Sequence, residues 1–527
     1  MLHGDTMYRG EKVYPGETVP APHSTTGVAS DRVRPWTTWL PALVLAALLI
    51  PISNGRWGVP VAAWLAPLFA LHYVRSVRPG IGLLTLYLLF LAAFPLQWAS
   101  MIPLEGWSLW LLAAGYQLAF LLPYALDRCL VSRVRGFTAT LIFPLAWTSL
   151  ELIAARTSPY ATWGSLAYTQ QGNLPLLQLL SLTGLAGVTF LVSWFAAVGS
   201  WSWQRAGQPA IALRGILTYG LVVGVVLLWG GSRLEFHRAV GETQRVASLT
   251  VEQGNARRIW NVRREGAKPA AIEAVRQATR ALHNTLLDRS AEEARAGARL
   301  VFWAELNGLV LAEDEAELIQ RGCALAQREQ IYLGMALGTF TAGEYLMQNK
   351  LVVAAPNGEV VAEYFKARPV PGDPETGGSA EVPTIETDWG KLALAICYDL
   401  DFPGLIRQAG SAGADLLIVP ARDSAALNPF HTRMAQFRAI ENGFSLVRQT
   451  DEGLSVATDA FGRVTAVMDH FSTPDRVLLA QVPTAGFATL YSGIGDVFGW
   501  LCLVGLGCLS AVGLLADRAA KLGSFTT

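Results

Sequence analysis

The sequence predicts a multi-domain chain: a polytopic α-helical membrane domain of seven spans plus one C-terminal span, with an α/β domain inserted before the last. Three observations predict it. Of 527 residues, 52% are hydrophobic and only 16% charged, against roughly 25% charged in a soluble domain. The apolar residues fall in near-continuous runs at about 36–52, 58–74, 80–98, 107–126, 137–155, 176–203 and 214–231, with a last run at about 494–515. Between 233 and 490 the composition is mixed, and strand and helix patterns alternate.

Each apolar run approaches the roughly 20 helical residues that cross a hydrocarbon core. Buried helices of a soluble protein would not give seven such runs in so short a stretch. The polar lead of 35 residues, with no small-residue cleavage pattern after the first run, favours a retained span over a cleaved signal peptide. Basic residues cluster in alternate connections: Arg32 and Arg34 before the first run, Arg75 and Arg78 after the second, Arg128, Arg133 and Arg135 after the fourth, Arg205 and Arg214 after the sixth, and Arg518 and Lys521 after the last. The intervening loops hold only Arg56 and Arg156. By the positive-inside rule the expected order is a cytoplasmic tail (1–35), seven helices (36–232), an outer domain (233–490), an eighth helix (491–516) and a cytoplasmic tail (517–527). Charge placement and crossing parity agree.

The net charge is zero, so no broad attraction to nucleic acid is expected. The five cysteines (Cys129, Cys323, Cys397, Cys502 and Cys508) show neither CxxC spacing nor a Cys/His cluster, so neither a disulfide framework nor a metal site is expected.

Within 233–490, "RVASLTVEQ" (245–253), "LVFWAE" (300–305), "IYLGMAL" (331–337) and "DLLIVPA" (415–421) read as strands. A polar stretch at roughly 268–298, "EDEAELIQRGCALAQREQ" (313–330) and "PGLIRQAGSAGA" (403–414) read as helices. "KLVVAAPNGEVVAEYF" (350–365) is a hairpin around Asn357-Gly358. Three strand ends deliver Glu305, Lys366 and Cys397. A sheet holds such groups rigidly while the following loop opens a site. A cysteine attacks as thiolate and needs a base or a cation beside it. Glu305 could take the proton and Lys366 could stabilise thiolate and oxyanion. Taken alone, a strand-end cysteine is more often structural, and Glu or Lys at a strand end is ordinary surface chemistry.

These residues carry a resemblance. "LALAICYDLDFPGLIRQAGSAGADLLIVPA" resembles the nucleophile region of the nitrilase (carbon–nitrogen hydrolase) superfamily, "LVFWAELNG" its glutamate motif and "YFKARPVPGD" its lysine motif, in the family's order. "FHTRMAQFRAIENGFSLVRQTDEGLSVATDAFGRV" (430–464) is similar to the part that closes its sheets. With the apolar runs, "YATWGSLAYTQQGNLPLLQLLSLTGLAGVTFLV" (160–192), "VEQGNARRIW" (251–260) and "TLYSGIGDVFGWLC" (489–502) resemble the membrane branch of that superfamily, the apolipoprotein N-acyltransferase family. The resemblance implies a nitrilase-like αββα sandwich on the outer face of a bacterial cytoplasmic membrane, acting as a monomer without cofactor. It implies Cys397 as acyl-accepting nucleophile, Glu305 as base, Lys366 and the backbone N–H of Tyr398 as oxyanion donors, and Trp260 as a substrate contact. Donor and acceptor would be a membrane phospholipid and a diacylglyceryl lipoprotein.

The chain departs from the family at three places. "PVPGDPETGG" replaces a Pro-Phe-Gly-Glu run and offers Glu375 or Asp373 as the supporting carboxylate. Asp399 stands where the branch more often has glutamate. "ARDSAALNP" (421–429) keeps Asp423 but lacks a bulky Trp-Phe pair near the substrate mouth. Two other readings stay open: a membrane-tethered amidase or nitrilase, and a non-enzymatic membrane protein with an inactive domain. Glu151, in the fifth run, is expected to pair with Arg156, and His431 to be a satisfied surface histidine.

Overall fold

The computed structural model describes residues 36–102, 104–237, 242–254, 259, 261–263 and 268–523. The N-terminal part is a bundle of helices: α1 (Trp36–Leu49), α2 (Pro60–Ser76), α3 (Pro79–Trp98), α4 (Trp107–Leu130), α5 (Ile142–Thr157), α6 (Leu185–Trp203) and α7 (Pro209–Phe236). α2, α3 and α7 begin on proline at their first position, where the missing N–H has no intrahelical acceptor to lose. α5 and α6 are mostly buried, whereas α3, α4 and α7 turn most of their length outward. The outward faces are apolar, with Leu84, Leu88, Leu111, Leu118, Leu221 and Leu228 exposed. Such a surface suits lipid rather than water.

Among the described residues, six helices are long and apolar enough to cross a membrane, with mean hydropathy from 1.4 to 2.2: α3, α4, α5 with its preceding turn, α6, α7 and the C-terminal helix. α1 has 14 residues before a 3₁₀ turn through Ile52, and α2 has 17. At 1.5 Å per residue α2 measures about 25 Å, short of a full core. The run at 176–203, expected as one span, is broken. Two one-turn helices (Leu174–Leu177, Leu180–Thr183) precede α6, and Gly184 takes φ +61 between them and it. A Cβ on Gly184 would collide with the Tyr491 ring, so the break is where the C-terminal segment packs in.

The C-terminal part carries two sheets. The first has strand order β14-β1-β2-β4-β5-β6, with β3 (Gly308–Leu311) on β4 and β7 (Glu375–Thr376) on β5. Its path comprises β1 (Thr243–Leu249), β2 (Leu300–Trp303), β4 (Tyr332–Phe340), β5 (Met347–Ala354), β6 (Val360–Phe365) and β14 (Val477–Pro483). The second has order β13-β12-β11-β10-β9-β8: β8 (Thr384–Thr387), β9 (Gly390–Leu394), β10 (Leu416–Arg422), β11 (Ser445–Asp451), β12 (Leu454–Thr458) and β13 (Val464–Asp469). Phe302, Leu333 and Leu351 of the first sheet and Leu392, Leu394 and Ile418 of the second share one buried core. Helices α8 (Pro269–Arg295) and α9 (Glu315–Glu329) cover the first sheet, and α10 (Pro403–Ser411) and α11 (Phe430–Asn442) the second. The helical readings at 268–298, 313–330 and 403–414 correspond to α8, α9 and α10.

α11 joins the two parts. Ala435 and Ala439 belong to the core of the second sheet, while Met434, Phe437 and Ile440 enter the core of the helical bundle. The chain then returns through α12 (Val497–Gly523), which packs along α5.

At the bundle end remote from the sheets, Arg75 holds Asp127 through two hydrogen bonds of 2.7 and 2.6 Å, both side chains buried. Removing one partner of a buried ion pair strands the other. Asp127→Ala is expected to destabilise the detergent-solubilised protein by about 3–5 kcal/mol, read as a lowered thermal midpoint, and adding Arg75→Leu to recover most of the loss.

Candidate functional site

The two sheets meet where three strands end. Glu305 follows β2, Lys366 follows β6 and Cys397 follows β9, so the first sheet supplies the carboxylate and the lysine and the second supplies the thiol. All three are buried, at 2%, 2% and 3% exposed. Lys366 Nζ donates to Glu305 Oε1 at 2.7 Å and pairs with Glu375 Oε2 at 3.1 Å. Glu375 therefore reaches the lysine from β7. Asn349, on β5 between them, donates through Nδ2 to Glu305 Oε1 at 2.7 Å and to Glu375 Oε1 at 2.9 Å. The sequence reading missed Asn349; its signal is an amide one residue ahead of the apolar strand that begins the hairpin.

Electrostatics follow from this packing. Burial pushes the Lys366 ammonium down, but Glu305, Cys397 and Glu375 together outweigh it and hold the group well above its ordinary value. Burial pushes the Cys397 thiol up, the negative charge of Glu305 adds to that, and Lys366 opposes both. The thiol thus rests protonated beside a carboxylate–ammonium pair. Burial also raises Glu375, against the pull of Lys366.

Cys397 opens a 3₁₀ turn (Cys397–Asp401) with φ +45, a left-handed conformation that non-glycine residues adopt at a cost. Its Sγ donates to the carbonyl of Arg422 at 3.6 Å. Asp399 bolts the turn across the seam. Its Oδ2 accepts from Ile396 N–H at 3.0 Å and from the Tyr364 hydroxyl at 2.8 Å, and its Oδ1 from Arg368 N–H at 2.8 Å. Burial raises Asp399 to about 6 despite these donors. The Tyr398 hydroxyl donates to the carbonyl of Pro159 in the α5–α6 connection at 2.8 Å. Trp260 lies outside the described residues.

Two expectations need correction. His431 is not a surface group: it is 3% exposed, with Nδ1 at 2.8 Å from Asp423 Oδ1 and Nε2 at 3.2 Å from Asp401 Oδ1. Asp423 also accepts from both Arg448 terminal nitrogens at 2.9 and 2.8 Å. The pattern was hidden because these residues lie on separate elements; only an arginine inside the apolar strand "SLVRQT" hints at it. Glu151 does not pair with Arg156, which reaches Asp496 at 2.6 Å. Glu151 instead accepts from Trp147, Ser165, Leu166 N–H and Thr189 at 2.7–2.9 Å, because the connection after α5 folds back over it.

Sγ of Cys397, a carboxylate oxygen of Asp423 and a ring nitrogen of His431 lie within 4.8 Å of one another. Two carboxylates already hold this histidine, and Arg448 pairs with one of them, which suits a charge network rather than an ion site. Burial lowers His431, but Asp401 and Asp423 outweigh it and raise it to about 9, while Arg448 and His431 hold Asp423 below the carboxylate range against its own desolvation. The folded state thus keeps a proton on His431 that the unfolded chain, at about 6.5, releases. This stability is fully present below about pH 6.5 and is lost as pH rises through about 9. The thermal midpoint is expected to fall across that window, and His431→Asn to flatten the fall.

Residues 42–198 match the apolipoprotein N-acyltransferase N-terminal domain, and residues 267–489 the carbon-nitrogen hydrolase family. An apolipoprotein N-acyltransferase from Geobacter metallireducens is 26% identical over 508 residues, covering 89% of this chain and 94% of its own length. One from Gloeobacter violaceus is 26% identical over 511 residues, covering 88% and 90%. Among solved structures, an amidase from Nesterenkonia sp. is 22% identical with a TM-score of 0.36, covering 46% of this chain and 92% of its own. A helical region and a sheet domain, each matched by its own family and both present in that order in relatives of nearly equal length, make the chain similar along most of its length to the apolipoprotein N-acyltransferases.

Proposed function

We propose that this chain moves a fatty acyl group from a membrane phospholipid, through a thioester on Cys397, to the N-terminal amine of a diacylglyceryl-cysteine lipoprotein. The observation that carries the reading is the buried Glu305–Lys366–Glu375 group at the seam that also holds Cys397, within a chain whose neighbouring part is a lipid-faced bundle.

Glu305 takes the thiol proton as Sγ attacks the donor ester carbonyl. Lys366 Nζ and the backbone N–H of Tyr398 stabilise the oxyanion. Collapse expels the glycerol oxygen, which takes the proton from Glu305 and leaves as lysophospholipid. In the second half the lipoprotein amine attacks the thioester carbonyl, Glu305 accepts its proton, and the thiolate departs and is reprotonated as the amide forms. Asn349 and Glu375 keep Lys366 and Glu305 in register, and Asp399 keeps the Cys397 turn closed. Trp260 would contact substrate.

The reading includes seven spans and a returning eighth, with α1 and α2 crossing despite their length and the sheet domain on the outer face of a bacterial cytoplasmic membrane. The alternation of basic connections supports that orientation. Both substrates then keep their acyl chains in one leaflet, where a bilayer-bound amine is concentrated and water is scarce.

Wild-type protein given acyl-labelled phospholipid without acceptor is expected to stall as a Cys397 adduct, located by peptide mass spectrometry. A diacylglyceryl-cysteine peptide should discharge it as amide, and steady release of free fatty acid without acceptor would reject transfer in favour of hydrolysis. Cys397→Ser and Glu305→Gln should each lower adduct formation by a factor of at least about 10². Reporter fusions at 240 and 520 should sit on opposite sides of the membrane.

A further inference from the structure

The Cys397 turn is held from two directions, and only one belongs to the sheets that carry it. Asp399 fastens its middle to β6 and to Ile396. Its last residue, Asp401, is fully buried and is gripped by the connection between α5 and α6. Trp163 Nε1 donates to Asp401 Oδ2 at 2.6 Å, and Thr162 Oγ1 donates to the Asp401 carbonyl at 2.9 Å. The other carboxylate oxygen faces His431 Nε2 at 3.2 Å.

The connection is itself pinned by the bundle. Tyr116 of α4 donates to the Trp163 carbonyl at 3.1 Å, and Asn54, between α1 and α2, donates to the Gly164 carbonyl at 2.8 Å. Glu151 of α5 receives Ser165 and Leu166. A rigid line therefore runs from bundle helices through Trp163 to Asp401, four residues from a nucleophile whose φ of +45 must be imposed from outside. Charge-assisted hydrogen bonds of this length are strong and directional.

We propose that Trp163 is a positioning residue for acyl transfer: its indole N–H, acting on Asp401, sets the Cys397 turn so that Sγ faces the Glu305–Lys366 pair. The alignment of the nucleophile is then decided by the lipid-facing part as well as by the sheets. This rests on the Cys397 thioester reading above.

Trp163→Phe removes the one donor while keeping a ring against Trp98 and Phe430, whose centroids lie 6.5 and 5.4 Å from that of Trp163. The full chain, in phospholipid nanodiscs, is followed through single-turnover adduct formation with acyl-labelled phospholipid. Trp163→Phe is expected to slow the maximal rate about tenfold or more, with half-saturating donor unchanged. Because Trp163 acts through Asp401, Trp163→Phe combined with Asp401→Asn should be no slower than Asp401→Asn alone. An unchanged rate, an equal shift in half-saturation, or multiplying effects in the double variant would overturn the proposal. If Trp163→Phe does not fold, Thr162→Val carries the test, with slowing expected and a wild-type rate overturning it. Cys397→Ser separates the two levels. Loss of adduct in Cys397→Ser with a wild-type rate in Trp163→Phe sinks this inference alone, whereas an adduct persisting in Cys397→Ser sinks the thioester reading beneath it.

Discussion

The site depends on one lysine held away from water between two carboxylates. An unpaired ammonium in the interior costs several kcal/mol after relaxation, and Lys366 is compensated by Glu305 at 2.7 Å and Glu375 at 3.1 Å. Burial first, and then the negative charge of Glu305, keep the nearby thiol protonated against the pull of Lys366. A thiol resting protonated beside a carboxylate has a short path by which its proton can leave. The strand ends of the first sheet matter because they fix this pair, and Asn349 ties both carboxylates to β5.

The second sheet brings the Cys397 thiol to that pair, so the seam between sheets must not slip. Asp399 crosses it to Tyr364 and Arg368, and Ser248 crosses it at another point, donating to Gln449 at 2.8 Å. On the outer side of the second sheet, α11 is buried from Met434 to Asn442. Its Arg438 pairs with Glu441 at 3.1 Å and donates to the Tyr168 hydroxyl at 3.1 Å, so the cation caught between sheet and bundle has a counter-charge on its own helix. A helix that belongs to two cores makes relative motion of the parts expensive.

The sequence by itself determined the two-part architecture, because lipid spans and alternating strand and helix patterns impose their periods locally. It also placed Glu305, Lys366 and Cys397 at strand ends, since a run of apolar residues stopping at a polar one is visible without knowing the fold. Tertiary structure alone decided the rest. It chose Glu375 over Asp373 at the lysine by pairing β7 with β5, and it buried His431 by closing α11 over Asp401 and Asp423. It broke the run at 176–203 because Tyr491 packs on Gly184, and it joined Trp163 to Asp401 across 238 positions of chain. Each of these is a contact between segments far apart in sequence, set by how sheets and bundle pack, and no local period records it.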